Sequence, residues 1–461
     1  MEFQSASPPR QGEAKKPRAI TMVKFILHQW LLAGFCVACL LAYFFPEVAK
    51  HGGIIRAEYS ILYGAVAAIF FLSGLSIPKD KLLKHTMNFR LHLHVQGVSF
   101  LIIPAIMCGL INLIDATDYG EKIDKAVLAG YIVVACLPTT IASNVVMTRA
   151  AGGDDAAALV EVFVANVMGP FITPGWAVTL LPKSAKYDVW RESNGDLQEM
   201  YRSVFKGLSL SVLLPLVVGQ LVRWLWAEKT AWVMQRFKLA KFGSVCLILV
   251  VWSSFSTCFS TGALQSLSHE TIILVTLINV VFYLFLTCIT FILAYPPSAI
   301  ISRAEPTTIT TSTTTRAKLN SLCHSLLTNL IKRTPPPETI AICFCGPAKT
   351  TSLGIPMIYA MYSTKTDLQL VSKLSVPVIL YTTEQIFCAH FMVYLFRRWG
   401  ERRAEERDEK EQMDGDDHEG GCESEAASAR ESTRTAVGMH QGRNGVSDVE
   451  GGGKEVVKEV C

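Results

Sequence analysis

Apolar residues in this chain are gathered into blocks separated by short charged connectors. The blocks fall at about residues 25–45, 59–77, 94–114, 126–147 and 158–181, then at 204–226, 242–259, 271–294, 339–362 and 374–396. Each approaches the roughly 20 residues that carry a helix across a hydrocarbon core. The pattern predicts an all-α polytopic membrane protein with ten transmembrane helices in two groups of five. Five is odd, so the second group enters the membrane from the opposite side, and a repeat relating the groups is inverted.

The organisation that follows is a basic, disordered N-terminal tail (1–22), a first five-helix repeat (23–182), an extracytosolic connector (183–203) and a second five-helix repeat (204–399). The second repeat carries a cytosolic insert at 296–337, whose threonine run from Thr307 to Thr315 reads as low complexity. A charged, Gly- and Ser-rich tail (400–461) is expected to be disordered.

Two blocks are interrupted in the same way. The fourth holds Cys136-Leu-Pro138-Thr139-Thr140-Ile-Ala-Ser143-Asn144, and the ninth holds Cys345-Gly346-Pro347-Ala-Lys349-Thr350-Thr351-Ser352. Proline removes a backbone donor and frees carbonyls that hydrocarbon cannot satisfy. A kink used only for packing explains one such block. Matching breaks in the two halves favour a binding site where helices four and nine cross. Thr139, Thr140, Ser143, Asn144, Thr350, Thr351 and Ser352 supply oxygens for a hard cation such as sodium, and Pro138, Gly346 and Pro347 make the breaks.

Charge adds orientation and candidate chemistry. Lys79, Lys81, Lys84 and Arg90, then Arg223, Lys229, Arg236, Lys238 and Lys241, then Arg397, Arg398, Arg402 and Arg403 fall on one predicted face with the basic N-terminus. By the positive-inside rule both termini are cytosolic, in the plasma membrane or a secretory-pathway membrane. The net charge of +4 over 461 residues gives no nucleic-acid footprint. The cysteines lie mostly in apolar blocks and read as reduced thiols, and no metal motif accompanies Cys36/Cys39 or Cys343/Cys345.

Within the blocks, Lys349, Glu161 and Glu384 are the costly charges. Lys349 reads as a built-in cation at the crossing, with Glu161 or Glu384 as counter-charge or proton carrier; snorkelling is the alternative. His92 and His94 read as interfacial, and Gln96 as deep enough to face the site. No nucleophile has a convincing base, so no enzyme and no cofactor is expected beyond a sodium ion or proton as coupling ion.

Gly74-Leu-Ser76, Leu91-His-Leu-His-Val-Gln96 with Pro104, Ala142-Ser143-Asn144, Gly152-Gly153, Thr173-Pro174 and Cys345-Gly346-Pro347 with Gly354-Ile-Pro356 resemble the bile acid:sodium symporter family. The likeness is to its seventh-member branch and related fungal proteins, over about residues 23–399 outside the insert. It implies a core domain with crossed helices four and nine, and a panel of helices one, two, six and seven. It also implies sodium bound near the crossing, at Ser143 and Asn144 here. The family's sodium-binding glutamate falls near Thr351 or Ser352, and a family glutamine falls near Ser99. The branch is linked to calcium homeostasis. The implied function is a secondary-transporter-like carrier of small anionic organic solutes. The alternatives are a non-transporting regulator of calcium influx, with a channel or regulatory protein as partner, and a sodium-coupled symporter of bile acids or steroid conjugates.

Overall fold

A computed structural model describes residues 30–192, 197–298, 332–362 and 366–440. Among these every regular element is helical. The helices are α1 (Trp30–Phe44), α2 (Ala57–Ser76), α3 (Lys79–Thr86), α4 (Phe89–Thr117), α5 (Lys125–Cys136), α6 (Ala142–Ala150) and α7 (Asp155–Leu180). They continue as α8 (Gln198–Leu225), α9 (Ala227–Arg236), α10 (Leu239–Ser260), α11 (His269–Ala294), α12 (Pro336–Cys345), α13 (Thr351–Tyr362) and α14 (Leu368–His440).

Among the described residues seven helices, α2, α4, α7, α8, α10, α11 and α14, are long and apolar enough to cross a membrane. Their outward faces carry large apolar side chains: on α11, Ile273, Leu277, Val281 and Phe285 recur at helical spacing and are all at least half exposed. Water would not tolerate so continuous an apolar stripe, whereas lipid requires one. The protein is an integral membrane protein.

Through Arg397 the helices form one body. Within it α2 packs lengthwise on α8, and α10 packs on α1. The α2–α8 contact is set by glycine: a Cβ on Gly74 would collide with the Leu216 carbonyl, and one on Gly219 with the Phe71 carbonyl. Small residues that let backbones approach are the usual glue between helices where lipid supplies no hydrophobic drive. On the other side, α7 packs against α5, α6 and α12, and α11 packs against α12.

Element boundaries differ from the sequence reading at α8 and α14. α8 begins at Gln198 rather than near 204. Its first turns bury Met200, Val204 and Leu208 and leave Arg202 and Lys206 exposed, so the charges that lower the local hydropathy occupy one face of an amphipathic helix. α14 runs on through the stretch expected to be a disordered tail as far as His440. The opening of that stretch is rich in Glu, Arg and Ala, all good helix formers, and Arg403 pairs with Glu406 at 2.7 Å. Finally, Thr334 N–H donates to the Ala294 carbonyl at 3.0 Å, and Arg333 Nε to that of Pro296 at 3.1 Å. The two flanks of the expected insert therefore lie side by side, while its residues 299–331 lie outside those described, as do the N-terminal tail and residues 441–461.

Candidate functional site

α5 stops at Cys136 and α6 starts at Ala142; α12 stops at Cys345 and α13 starts at Thr351. The two non-helical segments between them, 137–141 and 346–350, face one another inside the body. Thr139, Thr140, Ser143, Asn144, Lys349, Thr350, Thr351 and Ser352 are all buried. A buried backbone that leaves its helix must find new partners, and here they can be named.

The Cys136 carbonyl accepts from Thr173 Oγ1 at 2.8 Å, and that of Pro138 from the Thr350 N–H at 3.0 Å. The Thr139 carbonyl accepts from Asn166 Nδ2 at 3.1 Å, and that of Pro347 from Tyr381 OH at 2.9 Å. Lys349 O accepts from Thr140 Oγ1 at 2.7 Å. Gln385 of α14 pairs with Lys349 on both sides: its Oε1 accepts from the Lys349 N–H at 2.8 Å, and its Nε2 donates to Lys349 O at 2.7 Å and to Thr140 Oγ1 at 2.9 Å. Thr351 Oγ1 donates to Thr382 Oγ1, and Asn144 Nδ2 to Thr139 Oγ1 at 2.6 Å.

Space around the breaks is equally specified. A Cβ on Gly169 would press on the Pro138 ring at 2.8 Å, and one on Gly354 on Leu137 Cδ1 at 2.5 Å. α7 and α13 can therefore close on the first break only because these positions lack side chains.

Leu137 O accepts from Lys349 Nζ at 2.8 Å, and the same nitrogen donates to Ser99 O at 2.8 Å and Ser99 Oγ at 3.0 Å. Three donors meet three oxygens, and the residue is 1% exposed. No carboxylate forms an ion pair with Lys349 among the described residues. Its three hydrogen-bond partners are all neutral oxygens, two backbone carbonyls and one hydroxyl.

Glu161 and Gln96 lie together in a second cluster. Glu161 is fully buried and accepts from Gln96 Nε2 at 2.9 Å, and its Oε1 lies 2.6 Å from His92 Nδ1. His92 is thus a partner of Glu161, and not only an interfacial residue, because a buried carboxylate two turns inside α7 draws it inward. Gln96 Oε1 is buried with no hydrogen-bond partner. Glu384 is half-buried, and its Oε2 likewise has none. The structure therefore joins Thr139, Thr140, Asn144, Lys349, Thr350, Thr351 and Ser352, with Ser143 beside them in the first turn of α6, and groups Glu161 with Gln96 and His92.

Ser99, Asn166, Thr173, Tyr381, Thr382 and Gln385 complete the site. Of these, the sequence reading singled out only Ser99, as the place of a family glutamine, and Thr173, as part of a motif. Tyr381, Thr382 and Gln385 share one face of α14 at i, i+1 and i+4, and that spacing is the signal that could have found them.

Comparison with known proteins identifies the family. A model of the SBF-like CPA transporter family matches residues 29–398. The solute carrier RCH1 of Candida albicans is 38% identical over 384 residues, which cover 82% of this chain and 90% of that protein. RCH1 of Saccharomyces cerevisiae is 35% identical over 394 residues, 85% and 88% of the two chains. The sodium/bile acid cotransporter 7 of Mus musculus is 28% identical over 377 residues, 80% and 93%. These are transporters rather than enzymes, and on the extent of these matches the chain belongs to the SBF-like CPA transporter family, that of the bile acid:sodium symporters.

Proposed function

We propose that the protein is a secondary carrier of small anionic organic solutes in which Lys349 stands where a relative would bind a coupling cation. The observation that carries this reading is the ammonium held by Ser99 O, Ser99 Oγ and Leu137 O with no carboxylate beside it. A fixed cation of that kind makes transport independent of sodium or coupled to protons. The N-termini of α6 and α13 open at the two breaks and add positive potential, which favours an anionic solute.

Ten spans in two inverted groups of five accommodate the helices if α1, the pair α5 and α6, and the pair α12 and α13 supply the three crossings beyond the seven long helices. α1, α2, α8 and α10 then form a panel, and the remaining spans form the core that moves against it, with both termini cytosolic. The packing of α2 on α8 and α1 on α10 supports this division.

Uptake of a panel of carboxylated and sulfated organic anions into proteoliposomes tests the carrier. Accumulation by the native protein that is lost in Asn144→Ala and Lys349→Ala is expected; no accumulation of any of them sinks the reading. A role in calcium homeostasis follows from the likeness to the seventh-member branch. It predicts raised cytosolic calcium in cells lacking the protein, corrected by the native chain and not by Asn144→Ala.

A further inference from the structure

Away from the crossing, three helix ends bring an imidazole and two carboxylates together. His85 lies in the last turn of α3, Asp154 caps α7, and Glu338 lies in the first turn of α12. One ligand atom from each, all three lie within 4.8 Å of one another. We infer that His85, Asp154 and Glu338 bind one divalent metal ion of the zinc class.

Three observations carry this. First, His85 is 5% exposed, yet its ring makes no hydrogen bond among the described residues. Its Nε2 points at Asp154 Oδ2 from 3.7 Å, beyond hydrogen-bond length. An imidazole nitrogen and a carboxylate oxygen at that separation can share one metal ion.

Second, Asp154 divides its two oxygens between two tasks. Oδ1 accepts from the Ala156 and Ala157 N–H groups as the helix cap, at 2.9 and 3.1 Å, leaving Oδ2 turned to His85. The neighbouring Asp155 is engaged by Arg149, so it does not compete for the position.

Third, the backbone holds two of the ligand-bearing segments in register. The Asp154 N–H donates to the Pro337 carbonyl at 2.9 Å, next to Glu338. Gly153 lets Ile340 approach so closely that a Cβ there would lie 2.7 Å from its Cγ2. Arg90 is a cation that faces Glu338.

Zinc bonds to imidazole nitrogen and carboxylate oxygen are about 2.0–2.2 Å, which puts tetrahedral ligand atoms about 3.5 Å apart. Contraction of about 1 Å, within the reach of the Glu338 side chain, completes a site with water as fourth ligand. Imidazole among so few donors selects zinc over calcium, which takes six to eight oxygens. An occupied site fastens α3 to the starts of α7 and α12. This inference stands independently of the solute.

Calorimetric titration of chelator-treated, purified full-length protein with zinc chloride, and separately with calcium chloride, tests it. One zinc per chain and no calcium binding are expected. Asp154→Asn, which keeps the helix cap, and Glu338→Gln should each weaken zinc binding by about tenfold or more, since even loss of an outer-sphere partner costs 10–100-fold. Both variants should melt like the native protein when metal-free, which separates loss of a ligand from loss of fold. No zinc binding, zinc binding unchanged in the double variant, or calcium binding in place of zinc would each overturn the assignment.

Discussion

Lys349 and Glu161 are both buried charges in apolar spans, yet the protein meets their costs by different means. Lys349 is held by a carbonyl released at a helix break and by the backbone and hydroxyl of Ser99. Glu161 sits on the unbroken α7 and is held by side chains, Gln96 and His92, from the unbroken α4. A charge solvated by backbone is built into the fold, because its partners cannot turn away. A charge solvated by side chains can be neutralised while its partners rearrange. The first arrangement fixes its side chain by backbone, the second by side chains that can rearrange.

The largest effect that separates the two is expected from Lys349→Met. It strands the Leu137 and Ser99 carbonyls and removes three charge-assisted bonds, each worth about 1.5–3 kcal/mol. A loss of roughly 3–5 kcal/mol in a thermal or denaturant melt should result, comparable to breaking other buried charged contacts. A melt within experimental scatter of the native protein would show that the ammonium is not structural.

Gln385→Leu should come next. It leaves the Lys349 N–H without its acceptor and takes a donor from Lys349 O, for a loss of about 2–3 kcal/mol from two buried groups. Glu384→Gln, one residue away and half-buried, should cost less than half as much, and the reverse order would mean that the partners of the crossing are misidentified.

Glu161→Gln should be milder still, about 1–2 kcal/mol, since an amide keeps the hydrogen bond to Gln96 and leaves His92 neutral. It should instead flatten the pH dependence of uptake. Retention of the native pH profile would remove Glu161 as a proton carrier.

The smallest effect belongs to a charged cluster outside the spans. Burial raises the Asp118 carboxyl, but the Lys125 ammonium at 3.0 Å and the Ile123 and Lys122 N–H groups outweigh it and hold the group below its ordinary value. A depressed carboxyl contributes stability that is fully present above its unfolded pKa of about 3.9 and is lost as pH falls through the folded value. Amide exchange at Lys122 and Ile123 should therefore quicken only below about pH 4. Quickening near neutral pH would contradict the pairing.

The breaks were legible because Pro138, Gly346 and Pro347 stand out in apolar blocks, and so was Lys349, since a lysine at that depth has few places to go. The partners of the freed carbonyls were harder to read. Asn166 and Tyr381 sit on continuous helices, where lone polar residues look like ordinary packing. Gln385 was overshadowed by its neighbour Glu384, because cost of burial ranks a carboxylate above an amide, and cost says nothing about which way a side chain faces. His92 reads as interfacial because it stands at the start of the third apolar block, while its approach to Glu161 depends on how α4 packs against α7. The early start of α8 was hidden because average hydropathy erases the two faces of an amphipathic turn.

If Lys349 is the resident cation of the crossing, sodium has no site left to fill beside it. The melting temperature of the purified native protein, followed while sodium replaces potassium at constant ionic strength, tests this most directly. It should stay flat across the series, in the native chain and in Glu161→Gln alike. A rise with sodium concentration that disappears in Asn144→Ala would contradict it and restore a sodium-binding crossing.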